Sequence, residues 1–267
     1  MGVSVSEDRA RRPRPPADPR LSQSLESGVA LIERFTATRP ALGIAELADM
    51  LDASRSTTHR YASTLVVLAY LEQDERRRYR LSSHAARVGM AAIDTIRLET
   101  PAALTVLEDL REQTGHTVSM GVLDGDRAIY THRLFAHGQG QYETDLGLRV
   151  GAHVPLHCTA LGKALLASLA EPEQHEILTR VTLKREGPNT IRTKKALARQ
   201  LARVRADGLA VCDEEQAPGV RSIAAAITSP GRARPMAVSV TVPARHCTVK
   251  QMTAMFGPHV KAAAERI

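Results

Sequence analysis

Ser54-Arg55-Ser56-Thr57-Thr58-His59-Arg60-Tyr61-Ala62-Ser63-Thr64-Leu65-Val66-Val67-Leu68-Ala69 has two faces when wound as an α-helix. Tyr61, Ala62, Leu65, Leu68 and Ala69 make an apolar stripe, and Arg55, Ser56, His59, Arg60 and Ser63 lie opposite it. Ser54 is placed to cap the helix, because its hydroxyl can accept an unpaired N–H of the first turn. The polar face suits the major groove of DNA. An Arg guanidinium can bridge guanine O6 and N7, and hydroxyls such as those of Ser56 and Thr57 reach bases or phosphates. The plainer alternative is a solvated face on an ordinary three-helix core, and His59 alone does not decide between the two.

The flanks decide it. Upstream, Ile44, Leu47, Ala48 and Leu51 recur at i, i+3, i+4 and i+7, which predicts a short amphipathic helix. Asp52-Ala53 leaves only a tight connection. Before the Pro40 to Gly43 break, Leu25, Val29, Ile32 and Phe35 predict a helix over 23–36 with those four on one face. Downstream, Leu71 to Leu81 reads as two short strands around an Arg-rich turn, Tyr79 and Leu81 alternating against Arg78 and Arg80. Helix, tight turn, helix and hairpin make a winged helix-turn-helix over 21–81, whose second helix enters the major groove. Arg76, Arg77 and Arg78 on the wing would hold phosphates or enter the minor groove.

The rest of the chain changes texture. Residues 82–101 read as a linker helix, with Val88 and Ala92 on one side. Residues 102–267 read as an α/β unit. A helix over 102–113 stops at Gly115, and strands over 116–123 and 126–134 join at Asp124-Gly125, a pair suited to a type I′ turn. Phe135 to Gly140 reads as loop. Helices follow over 159–169 and from Glu171, then one carrying Leu197, Leu201 and Val204. Strands over 209–213, 222–229 and 235–243 precede a last helix over 246–266. The fold class is α+β: a winged helix-turn-helix, a connecting helix, and an α/β domain with a mainly antiparallel sheet.

Charge does not gather in the reading unit. The chain has 36 Lys and Arg against 29 Asp and Glu, net +7. Residues 21–81 are neutral, so a nucleic-acid reading rests on local arginines and not on the total. Residues 1–20, with Arg11-Arg12-Pro13-Arg14-Pro15-Pro16, read as a disordered arm. The longest stretch free of Lys, Arg, Asp and Glu, Val150 to Gly162, is too short to span a membrane. The first twenty residues lack the apolar core of a secretory signal. Three scattered cysteines, Cys158, Cys212 and Cys247, form no disulfide framework and fit a reducing cytoplasm.

Ser22-Gln23-Ser24-Leu25-Glu26-Ser27-Gly28-Val29-Ala30-Leu31, Ile44-Ala45-Glu46-Leu47-Ala48, Ser54 to Arg60 and Tyr79-Arg80-Leu81 together resemble the N-terminal half of IclR-family transcriptional regulators. Pro155-Leu156-His157-Cys158-Thr159-Ala160-Leu161-Gly162-Lys163-Ala164-Leu165-Leu166-Ala167 resembles that family's most recognisable C-terminal motif. Glu214-Glu215, Gly219 and Ile223-Ala224-Ala225 fit the next one. The resemblance implies a GAF-like domain that binds a small effector, often an organic or aromatic acid, without a cofactor. It implies backbone N–H groups of Ala160 and Leu161, at a helix N-terminus where free N–H groups and the dipole favour an anion. Side chains of Cys212 or Asp213, Ser222, Ser239 and Thr241 complete the implied site. It further implies a homodimer or dimer of dimers on double-stranded operator DNA, usually a repressor, with Ser82 to Pro101 as the lever between the two domains. Three positions depart from the pattern. Ser222 stands where Cys is frequent, Ala226 where Pro is common, and Ala69 where Gly usually follows the reading helix.

Two rivals are weaker. His153, His157 and Cys158 sit close in sequence, and Cys212 could join them as a metal or redox sensor. Pro155 between the histidines breaks the helix that a His-x-x-x-His zinc pair would use. An enzyme on the same fold is the other rival. Gly162-Lys163 lacks the rest of a phosphate loop, and Asp213-Glu214-Glu215 on a strand would point to alternating faces.

Overall fold

The computed structural model describes residues 20–36, 38–137, 146–228 and 234–267. The expected arm, save Arg20, and the end of the Phe135 to Gly140 loop lie outside the described residues. The chain divides into two compact units, with the boundary between Asp94 and Thr95.

In the N-terminal unit, α1 (Gln23–Ile32), α2 (Ile44–Leu51) and α3 (Arg55–Val67) pack on a hairpin of β1 (Leu71–Gln73) and β2 (Tyr79–Leu81). α1 starts at Ser22, whose hydroxyl accepts from Leu25 N. Its inward contact is Leu31, fully enclosed, with Phe35 just beyond the helix. Leu25 and Val29, placed inward by the periodicity, are 68% and 47% exposed, so the buried edge of this helix is rotated from the predicted one. α2 buries Leu47 and Ala48 and ends at Asp52, whose φ of 53° turns the chain sharply. The core closes with Leu42, Ala62, Leu65, Leu71 and Tyr79. Leu42 was expected in a simple break. It pairs with Tyr79 as an antiparallel bridge, Leu42 N donating to Tyr79 O at 2.9 Å and Tyr79 N to Leu42 O at 2.8 Å.

α4 (Ser83–Leu98) crosses the boundary between the units. Ser82 precedes it, its hydroxyl donating to Ala69 O and accepting from His84 N.

The C-terminal unit is a six-stranded antiparallel sheet with helices on both faces. The strands are β3 (Thr117–Asp124), β4 (Arg127–Leu134), β5 (His153–Pro155), β6 (Ala210–Asp213), β7 (Val220–Ile227) and β8 (Met236–Pro243), in the order β5-β4-β3-β8-β7-β6. One face packs α5 (Ala103–Thr114) and α9 (Val249–Arg266) over Val118, Met120, Ile223, Val238 and Val240. The other packs α6 (Ala160–Ser168), α7 (Glu171–Arg180) and α8 (Lys194–Asp207) over Ala128, Tyr130, Cys212, Ala224 and Ala237. The alternation of strand side chains sorts residues between these two cores.

The β3–β4 turn differs from the expected one. Asp124 pairs with Arg127, so the two-residue loop is Gly125-Asp126. Only Gly125 of the two has positive φ, at 61°, which fits a II′ turn with Gly first and not the I′ turn expected at Asp124-Gly125. A register shift between Met120 and Gly121 then moves the far half of β4 by one residue.

Candidate nucleic-acid interface and effector face

Ser54 caps α3. Its hydroxyl accepts from Thr57 N at 3.1 Å and donates to Thr57 Oγ1 at 2.9 Å. Thr57 is thus half-buried and spent partly on the cap, while Thr58 is enclosed and donates to Ser54 O. Arg55, Ser56, His59 and Arg60 stand together exposed on the outer side. An open groove of about 580 Å³ runs along this face, lined by Ser56, His59, Arg60, Ser63, Thr64, Val67 and Leu68. Leu68 was expected on the buried stripe. It is 55% exposed, and Ala69 is exposed too, because the chain leaves the helix there with Ala69 at φ 60°. The stripe that anchors α3 is therefore Thr58, Ala62 and Leu65, with Tyr61 half-buried.

The three wing arginines are not equivalent. Arg76 and Arg77 are exposed at the tip, where Arg77 sits at φ 58° and its backbone N–H donates to Asp74 O. Arg78 turns back to the body of the unit. Its guanidinium donates to Ala41 O and lies 3.9 Å from Glu46. Glu46 also accepts from Gly43 N at the start of α2. Arg80 pairs with Glu72 across the hairpin.

In the C-terminal unit, β7 and β8 bring hydroxyls together. Ser222 is the register partner of both Cys212 and Thr241, and Ser239 is the partner of Ser119. These residues share the face that packs α6, with Ser119 and Ser239 enclosed. α6 begins there: Thr159 caps it by accepting from Gly162 N at 3.0 Å, and Ala160 and Leu161 form its first turn. Two glycines permit the approach. A Cβ on Gly162 would overlap the Leu156 backbone, and one on Gly121 would meet Ile129 O at 2.6 Å and Leu161 at 3.0 Å.

Asp213 is not brought to this face. Its neighbour Cys212 points to the α6 side, so Asp213 points away and receives Arg221 Nε at 2.5 Å. Arg221 also donates to the carbonyls of Ala244 and Cys247, tying the chain before α9.

The histidines and cysteines go to separate tasks. His153 lies 2.8 Å from Asp124, His157 pairs with Lys184 O at 2.9 Å, and Cys212 Sγ donates to Cys158 O at 3.1 Å. Burial pushes both thiols up and the His157 imidazole down. Among the described residues no three His, Cys, Asp or Glu side chains converge as metal donors.

One cationic residue escaped the sequence reading. Arg133 on β4 donates to Ser119 Oγ at 2.9 Å and lies against Tyr130 and Phe135. Strict alternation from Tyr130 would place Arg133 on the opposite face; the register shift at Met120/Gly121 brings it beside Ser119, and no local pattern announces that shift.

The C-terminal domain of bacterial IclR transcriptional regulators matches residues 90–267, and the IclR helix-turn-helix domain matches 24–75. The chain belongs to the IclR family. The Escherichia coli (strain K12) transcriptional repressor IclR is 28% identical over 268 residues, 99% of this chain and 97% of that protein. The transcriptional regulator XynR of the same organism is 30% identical over 203 residues, covering 76% of this chain and 79% of its own. An IclR homolog from Microbacterium hydrocarbonoxydans, crystallised with 4-hydroxybenzoate, superposes with a TM-score of 0.74 at 22% identity. It covers 91% of this chain and 98% of that one, a likeness of fold. This IclR-family chain is a DNA-binding transcriptional regulator that carries the family's helix-turn-helix and C-terminal domains in order. Among the described residues no helix is long and apolar enough to cross a membrane.

Proposed function

We propose that the protein is a repressor that reads a near-palindromic operator through α3 and releases or tightens its hold when a small organic acid binds the hydroxyl face of the C-terminal sheet. The single observation that carries the reading is the exposed group Arg55, Ser56, His59 and Arg60 on a helix whose other side is locked in the core. Cations and hydroxyls on a rigid rod supply base contacts, and Arg76 and Arg77 supply phosphate contacts. A homodimer or dimer of dimers presents two such helices, and the two-fold axis of the protein matches that of the DNA. The linker over 82–101 is the lever between a DNA unit over 21–81 and an effector unit over 102–267. The effector's carboxylate lies near the Ala160 and Leu161 N–H groups and the hydroxyls of Ser222, Ser239 and Thr241, with Cys212 beneath. The protein catalyses no reaction and works in the cytoplasm beside the DNA. Repression is supported by the names of relatives such as the Escherichia coli repressor.

Selection of bound duplexes from a random pool by the full-length chain tests this reading. Enrichment of an inverted repeat is expected. Binding with no sequence preference, or an enriched site without symmetry, would overturn the paired-helix reading.

A further inference from the structure

The hydroxyl face of the sheet is not neutral. Arg133 of β4 stands opposite Ser119 of β3, which is itself opposite Ser239 of β8, so the three form one row across the strands. Nη1 of Arg133 donates to Ser119 Oγ at 2.9 Å. The guanidinium carbon lies 5.1 Å from the Tyr130 ring centre and 5.2 Å from that of Phe135. Two aromatic contacts and one hydrogen bond fix its position. Its Nε is buried and has no hydrogen-bond partner among the described residues, and the side chain has no ion-pair partner among them.

A partly desolvated guanidinium with an unused N–H is an incomplete arrangement. A buried donor left without an acceptor costs about as much as the bond it lacks. The fork of N–H groups matches a carboxylate, which accepts two parallel bonds. Three described carboxylates of this unit are engaged elsewhere: Asp124 with His153, Asp213 on the opposite face with Arg221, and Glu215 with Lys163. No described residue accepts from this N–H, which leaves it open to an acceptor on a bound molecule.

We infer that Arg133 is the specificity-determining residue of the effector site, binding the acidic group of the effector and selecting carboxylates over neutral molecules of the same shape. The inference rests on the effector site proposed above and adds the residue that reads charge. Helix N–H groups and hydroxyls alone accept neutral amides and carboxylates with less discrimination; a guanidinium on the same face does not.

The test is a thermal-shift titration of the full-length chain with pyruvate, benzoate and 4-hydroxybenzoate, each beside its primary amide. At least one acid should raise the melting temperature of the wild type, and its amide should not. Arg133→Gln should weaken the response to that acid by about tenfold to a hundredfold, the range for a hydrogen-bonded charge, and should narrow the gap between acid and amide. Arg133→Lys, which keeps the charge but loses the fork, should retain an intermediate response. Circular dichroism melts without ligand identify a variant that fails to fold, in which case Arg133→Lys carries the comparison. An acid that shifts the wild type and both variants equally overturns the role of Arg133 and leaves the site standing. A wild type that answers none of the acids removes the site and the role together.

Discussion

Lys163 Nζ lies 2.5 Å from Glu215 Oε1, with both side chains enclosed between α6 and the loop that follows β6. The ammonium also donates to Gln200 Oε1 on α8, at 3.2 Å, while Glu215 Oε2 has no partner among the described residues. The pair thus pins three elements at one point. Removing one partner strands a buried charge. Lys163→Met should cost about 3–5 kcal/mol, whereas Lys163→Met with Glu215→Leu should cost far less than the sum of the single changes. Urea unfolding of the three variants measures this, and additive losses would show that the two charges act independently.

Ala69 takes a φ of 60° just after α3, where an L side chain is strained. The backbone is held there, with Ala69 N donating to Val66 O and its carbonyl accepting from Ser82. Ala69→Gly should therefore stabilise the chain by about 1 kcal/mol. Chemical denaturation that detects no gain would mean the glycine's extra freedom in the unfolded chain offsets the relief.

On DNA, the wing arginines should separate by role. Arg76→Ala with Arg77→Ala should reduce the slope of log affinity against log salt by about 2, since each lost phosphate contact removes about 0.9 from it. Arg60→Ala should lower affinity for the selected sequence more than for random duplex. Arg78→Ala should loosen the hairpin by releasing Ala41 and Glu46. Hydrogen exchange at Leu42 and Tyr79 reports that loosening, and equal salt slopes for all three wing changes would contradict the division.

His132 is enclosed, and burial first, then the charge of Arg97, lowers its pKa from 6.5 to about 4. The unfolded chain therefore binds the proton more readily than the folded one. Stability should be full above about pH 6.5 and should fall as pH drops from there toward 4, by up to roughly 3 kcal/mol from this group. His132→Gln should flatten that part of the profile. An unchanged pH dependence would assign the acid sensitivity to other groups.

Ser239→Leu fills the hydroxyl row opposite Ser119 with an apolar side chain. It should abolish the effector-dependent change in operator affinity, read by anisotropy with and without the acid found in the thermal-shift panel. A normal response would move the effector away from β8.

Local patterns carried most of the reading helix. The Ile44, Leu47, Ala48, Leu51 spacing and the Ser54 cap both depend on neighbours within one or two turns; α2 spans that spacing and α3 starts just after that cap, while α3 ends at Val67, short of the expected Ala69. What local patterns missed depends on distant partners. Leu25 and Val29 match a helical stripe, yet only the packing of α1 on the rest of the unit selects Leu31 as its buried contact. Leu42 joins the hairpin through Tyr79, 37 residues later. Arg133 reaches the hydroxyl face through a shifted register between two strands. Asp213 was legible: strand alternation alone sends it to the face opposite Cys212.

The bridge between Leu42 and Tyr79, with Arg78 clasping the Ala41 carbonyl, fastens the wing to the segment that leads into α2. The hairpin stem is thereby rigid before any duplex arrives, and ordering it is a cost of folding rather than of association. Discrimination between cognate and foreign sites should then reside in how long the complex lasts, with capture rates nearly alike.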